Sequence, residues 1–288
     1  MTNKIKDTLK NHKYLLLSFF LPLLILEGIA IAEKIQPFGS GSFLIVDALH
    51  QYLPFFADYQ EKLKHMDSMF YSFHAGLGYN FLGLWAYYLA SPLNLVIALV
   101  PKSMLTMVLS HLYVLKIALC CFTAAFYFRK RRGKDEISII AFGMAYGLCS
   151  YMVGYSWNIM WMEVMMMLPL ILYGVDKLIK EHDGRFYCIT LFISLWCNFY
   201  MSYMTCLFLI LWYLLYPYQR IFSEWIKICR IFSAIRGNGS SSAIAGILRN
   251  YADIFSKTGF SKAIVVWNIW KYLFKTFSWN NTTYDGSR

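Results

Sequence analysis

The chain has 288 residues, of which 58% are apolar, 19% aromatic and only 15% charged, with a formal net charge of +11. That balance excludes an ordinary soluble domain and makes a lipid bilayer the expected solvent. Most of the positive charge sits at the ends of apolar runs, where membrane orientation and anionic headgroups account for it without nucleic acid. A Walker-type loop, a dinucleotide fingerprint, a CxxC pair and an HExxH motif are all absent, so soluble nucleotide chemistry is unsupported and neither cofactor nor metal is expected.

The first apolar run, Tyr14 to Ala32, is long enough to cross a hydrocarbon core of about 30 Å. It follows Lys4, Lys6, Lys10 and Lys13, and no small-residue cleavage site closes it, so it is read as a retained anchor rather than a signal peptide. The next segment, 34–102, is polar and aromatic. Within it Phe81 to Pro101 is apolar but broken by Ser91, Pro92 and Asn94, which predicts an interfacial or re-entrant helix instead of a span.

Further runs follow at Met104 to Phe128, Ile137 to Ser156, Trp161 to Val175 and Phe186 to Leu215. Basic clusters mark cytoplasmic ends. Placing RKRRGK (Arg129 to Lys134), the group Lys177, Lys180 and Arg185, and the N-terminus inside puts the 34–102 loop outside. The run from Phe186 to Leu215 keeps Arg220 inside only as a bent pair turning at Asn198 to Tyr203, which other helices must bury. The expected architecture is all-α: a multi-pass cell-membrane protein of about six crossings, N-terminus cytoplasmic, with a helical extracellular first loop.

The membrane domain is expected over 1–219 and a basic, poorly defined cytoplasmic tail over 220–288. In that tail GNGSSS (Gly237 to Ser242) is flexible in composition, and Phe260 to Phe277 suits a basic amphipathic helix on the inner leaflet. Six of the seven cysteines fall inside apolar runs, with Cys229 in the tail, which favours packing over a disulfide framework.

Three stretches carry a resemblance: PFGSGSFLIVDALHQYLPFFADYQEKL from Pro37, DSMFYSFHAGLGYNFLGLWAYYLASPLNL from Asp67, and WNIMWMEVMMMLPLILYGVDKLI from Trp157. In this order they resemble the N-terminal part of the YfhO family of bacterial membrane proteins, over about Leu15 to Tyr216. The family is much longer and is similar to the GT-C class of glycosyltransferases. That class takes sugar from a polyprenyl-phosphate carrier on the outer face and uses acidic residues of the first external loop. The resemblance therefore implies a polyprenyl-phosphate sugar donor, membrane lipid, and a cell-wall polymer acceptor of teichoic acid type. It also implies a truncated or frame-shifted member, since further spans are expected after about Pro217. The other readings are a non-catalytic transporter or flippase component, and an inactive fragment.

Glycosyl transfer to a hydroxyl needs a base and stabilisation of the leaving phosphate. Asp47 is the expected catalytic base, and on an α-helix it shares a face with His50 and Gln51. The alternative is a solvated helix start. Tyr52 follows as a further substrate-binding candidate. Asp58 and Glu61 read as solvated charges of an amphipathic helix. His74 and Asn80 in FHAGLGYN suit either a ligand-binding loop, where glycine lets backbone approach closely, or a plain turn.

Two of the charged residues inside apolar runs are hard to dismiss, since each costs at least about 2.5 kcal/mol unless paired or lining a cavity, whereas Glu27, one turn from the outer end of the first run, reaches the interface. Lys116 suits a carrier phosphate or an ion pair with another helix. Glu163, near the outer end of its run, suits the same external site as Asp47 or an interfacial carboxylate beside Trp157 and Trp161. The aromatic residues of FLGLWAYYLASP suit interfacial anchoring or a sugar platform.

Overall fold

The computed structural model describes residues 12–213 and 215, apart from 75 and 156. Described residues up to Leu209 belong to one compact unit, and those from Ile210 onward to a second. The expected tail, with its amphipathic helix, lies outside the described residues.

Among the described residues, four helical stretches are long and apolar enough to cross a membrane. They are α1 (Lys13–Ala32); the stretch Lys102–Arg132 that contains α4 (Leu105–Arg132); Ile137–Gly154, made of α5 (Ile137–Gly147) and α6 (Ser150–Gly154); and Ile159–Glu181, which contains α7 (Met162–Glu181). Two shorter apolar helices follow, α8 (Arg185–Cys197) and α9 (Phe199–Tyr213). They are separated at Asn198, whose backbone is extended; of the turn expected over Asn198 to Tyr203 only this first residue leaves the helix, which resumes at Phe199.

Helix α4 is the hub, packing against α1, α5 and α7, while α8 packs on α7. Its 28 residues end in Arg129, Lys130, Arg131 and Arg132, cations that complement the carbonyl end of the helix dipole, and Gly133 closes it at φ 72°. Its tightest neighbour is α5. A Cβ on Gly143 would lie 2.7 Å from the Cys121 carbonyl oxygen, and one on Gly147 would lie 2.9 Å from the Cys121 nitrogen. The spacing Gly143-x-x-x-Gly147 thus lets two backbones meet, as small residues do between helices in lipid.

Between α1 and α4 lie a π-helical turn (Ala48–Tyr52), α2 (Leu53–His65), an antiparallel ribbon of β1 (Tyr71–Ser72) and β2 (Tyr79–Asn80), α3 (Phe81–Tyr88) and a 3-10 helix (Pro92–Leu99). The two-stranded ribbon departs from a purely helical loop. It forms because Gly76 and Gly78 take φ of 58° and 102°, and a Cβ at Gly78 would strike the Tyr71 hydroxyl. Helix α3 and the 3-10 helix are bent by 111° at the Leu89–Ser91 break, as the Ser91-Pro92 pair predicts. The bend is held from within by Asn94 Nδ2 donating to the Leu89 carbonyl at 3.2 Å. From the other side Trp196 Nε1 donates to the Ala90 carbonyl and Asn198 Nδ2 to the Tyr87 carbonyl.

Candidate functional site

Asp47 stands at the head of the π-helical turn, half-buried, with no side-chain cap bond. The residue before it, Val46, has φ 50°, a region that a β-branched side chain enters only under strain. Ile45, Val46 and Leu49 around it are 51%, 55% and 40% exposed, so the carboxylate sits within bare apolar surface. Of the residues expected to share a face with Asp47, His50 at i+3 falls short of a full π-turn. A π-turn bonds i to i+5, which widens the turn and sets Tyr52, on which Asp47 acts electrostatically, one turn on from Asp47, while His50 is exposed. Gln51 acts on the Tyr88 hydroxyl, and Asp47 acts electrostatically on both Tyr52 and Tyr88. Burial, then Tyr88, then Asp47 push the Tyr52 hydroxyl well above its ordinary range.

Tyr52 links this surface to the helix bundle. Its hydroxyl donates to Asn158 Oδ1 at 3.0 Å, just before the 3-10 turn Ile159–Trp161 that leads into α7. The Ile159 carbonyl accepts from Lys116 Nζ at 3.2 Å, Asn94 Oδ1 accepts from it at 3.4 Å, and Glu163 Oε1 lies 2.5 Å away. Both charged side chains are 1% exposed. Glu163 Oε2 has no hydrogen-bond partner among the described residues, and the short Oε1 contact is charge against charge with poor alignment. Asp47, Gln51, Tyr52, Lys116 and Glu163 thus form one contiguous chain of neighbours, with the last two sealed inside it. The signal for this pairing was legible as two intramembrane charges of opposite sign.

His74 and Asn80 belong to a different cluster. Asn80 is accounted for as the N-cap of α3, accepting from the Gly83 nitrogen at 3.1 Å. His74 Nδ1 lies 2.8 Å from Asp58 Oδ1. Asp58 Oδ2 accepts from the Ser72 hydroxyl at 2.6 Å and the Tyr79 hydroxyl at 2.7 Å. Asp58 is therefore no solvated charge: it is 5% exposed and fully hydrogen-bonded. Burial opposes its ionisation, but the bonds from Ser72, Tyr79 and His74 together with the His74 charge outweigh it and hold the carboxyl below its ordinary value. In turn, burial first and then Asp58 push the Tyr79 hydroxyl up to about 12.

Neighbouring Lys62 is buried as well. It donates to the Ser68 and Tyr71 carbonyls at 2.8 and 2.9 Å and lies over the Phe81 ring. Glu61 pairs with Lys102, whose hydrogen bond is the chief cause that lowers the Glu61 carboxyl. Sequence reasoning missed this cluster because the donors to Asp58 lie 14 to 21 residues away, on the ribbon. Among the described residues no three His, Cys, Asp or Glu side chains come together as a metal-holding set.

No curated protein and no solved structure matches the chain. Residues 18–257 match the family described as bacterial membrane protein YfhO, a match that continues past Pro217 and spans both clusters. With several membrane-length helices around a buried ion pair and that match over most of its length, the chain belongs to the YfhO family of multi-pass bacterial membrane proteins.

Proposed function

We propose that this protein is a membrane glycosyltransferase that moves a sugar from a polyprenyl-phosphate carrier to a cell-envelope polymer of teichoic acid type. The N-terminus is cytoplasmic, the segment between α1 and α4 is external, and α8 and α9 complete about six crossings. The observation that carries this reading is a half-buried carboxylate, Asp47, set among exposed Ile45, Val46 and Leu49. A carboxylate in apolar surface suits a substrate that arrives on a lipid.

Asp47 takes the proton of the incoming hydroxyl as its oxygen bonds to the anomeric carbon. The carbon–oxygen bond to the phosphate breaks, and the lipid phosphate leaves with the electron pair. Strain at Val46 is the local cost of presenting this carboxylate in a fixed direction. Gln51, Tyr52 and Tyr88 form its polar wall, and Lys116 with Glu163 braces that wall from inside the bundle. A flippase or transporter component is the second reading. It is favoured by the buried Lys116–Glu163 pair and its unpartnered carboxylate oxygen, which suit a passage that opens.

Proteoliposomes charged with a radiolabelled polyprenyl-phosphate sugar and acceptor polymer test the two. Transfer by the unaltered chain that falls at least 100-fold in Asp47→Asn at matched insertion is the expected result. Equal transfer by both removes Asp47 from the chemistry. Carrier translocation without transfer, abolished in Lys116→Met, replaces this reading with the flippase.

A further inference from the structure

The Asp58–His74 cluster stands apart from the Asp47 surface and has a construction of its own. Asp58 is buried and saturated by three donors, one of them His74 Nδ1, which fixes the ring and leaves Nε2 as its outward atom. The His74 ring is 60% exposed. Its Nε2 lies 3.9 Å from Glu61 Oε2, while Glu61 Oε1 is taken by Lys102. At that separation the two atoms do not hydrogen-bond each other, yet a single hydroxyl oxygen fits within hydrogen-bond reach of both. The fit holds in either state of the ring. Neutral His74 and Glu61 present two adjacent acceptors, suited to a pair of neighbouring hydroxyls. Protonated His74 donates to a hydroxyl that in turn donates to Glu61.

The surroundings favour a polyhydroxylated ligand over an anion. The charged groups at the cluster are Asp58, Glu61, Lys62, Lys102 and His74; Lys62 is buried and spent on the Ser68 and Tyr71 carbonyls, and two carboxylates offset the other cations, so a phosphate gains little. Phe73, next to His74, is 79% exposed and meets Tyr71, 43% exposed, edge to face at 4.9 Å. Exposed aromatic faces beside hydroxyl-binding groups suit the apolar face of a sugar ring. A Cβ at Gly76 would meet nothing within 4 Å, so the loop leaves open space there.

We propose that His74 and Glu61, with Phe73 beside them and Asp58 as the positioning residue, form a binding site for a carbohydrate or polyol. The site deepens the glycosyltransferase reading by giving the hydroxyl-bearing acceptor a docking place, and rests on that reading only for the word acceptor.

Saturation-transfer difference NMR on the full chain in nanodiscs, with maltotriose and glycerol as probes and no glycosyl donor, tests the binding whether or not the chain transfers sugar. The expected result is saturation of probe protons by the unaltered protein. A loss of at least fivefold is expected in His74→Ala, whose ring is 60% exposed, and in Glu61→Gln, whose side chain is half-buried, each compared with the unaltered protein at temperatures where thermal unfolding shows both folded. Asp58→Asn is expected to weaken binding and to shift its pH profile, because the ring loses its ionised partner. That shift is a change that loosened packing alone does not produce. Saturation absent from the unaltered chain, or undiminished in His74→Ala, overturns the proposal.

Discussion

Lys116 Nζ and Glu163 Oε1 lie 2.5 Å apart between α4 and α7, each side chain 1% exposed. The pair is flanked by Asn94 from the bent segment and the Ile159 carbonyl, so one buried cation ties three parts of the chain together. Removing one partner strands the other charge in an apolar interior. Lys116→Met or Glu163→Leu alone should each cost about 3–5 kcal/mol, and the double variant far less than their sum. Thermal unfolding of the three variants in nanodiscs checks this, and additive losses would show that the two charges are not coupled.

The α4–α5 contact depends on the absence of side chains at Gly143 and Gly147. Backbone atoms of Cys121 cannot move aside as a flexible side chain can, and a Cβ at either position falls under 3.0 Å from them. Gly143→Ala and Gly147→Ala should therefore each destabilise by at least 1 kcal/mol. Gly28→Ala in α1, where nothing lies within 4 Å, should be neutral or stabilising by up to about 1 kcal/mol. Unfolding midpoints of the three proteins decide it.

Much of this architecture was written in local pattern. Apolar length marked α1, α4 and α7, Ser91-Pro92 marked the bend, and Asn198 marked the break between α8 and α9. The Gly143-x-x-x-Gly147 spacing went unread in the sequence, because its meaning depends on which backbone it meets, and that only the structure shows. The polar clusters were not legible either. Asp58 looked solvated because an amphipathic period says which face is polar but not what covers it, and its cover arrives from a ribbon made possible by two glycines with positive φ. The turn after Asp47 was expected to be α-helical and is π-helical, a widening that no residue pattern announces; His50 is exposed and Tyr52 buried.

The cluster around Asp58 has a pH dependence with a definite sign. Its carboxyl is held below the ordinary value of 3.8, so the stabilisation is present in full above that value and is lost as pH falls through the lower folded value. Glu61, lowered from 4.5 chiefly by its bond with Lys102, contributes in the same direction over a slightly higher window. Protection of the Ser72 and Tyr79 amides in hydrogen exchange, followed from pH 6 downward, should decline below about pH 4. Asp58→Asn should remove most of that slope. A slope unchanged in the variant would assign the acid sensitivity to other carboxylates.

Val46 offers a test in which stability and activity move in opposite directions. Its φ of 50° is unfavourable for a β-branched side chain, and glycine takes the same conformation without that penalty. Val46→Gly should therefore raise stability by about 1 kcal/mol, the lower end of what such strain costs. The same change frees the backbone beside Asp47 and removes part of the exposed apolar surface around it, so transfer should fall by about tenfold if the carboxylate must be held in one direction. Val46→Ile keeps the strain and the apolar surface and should keep the activity. A Val46→Gly protein that is both more stable and fully active would mean that the strained turn serves neither the presentation of Asp47 nor lipid contact.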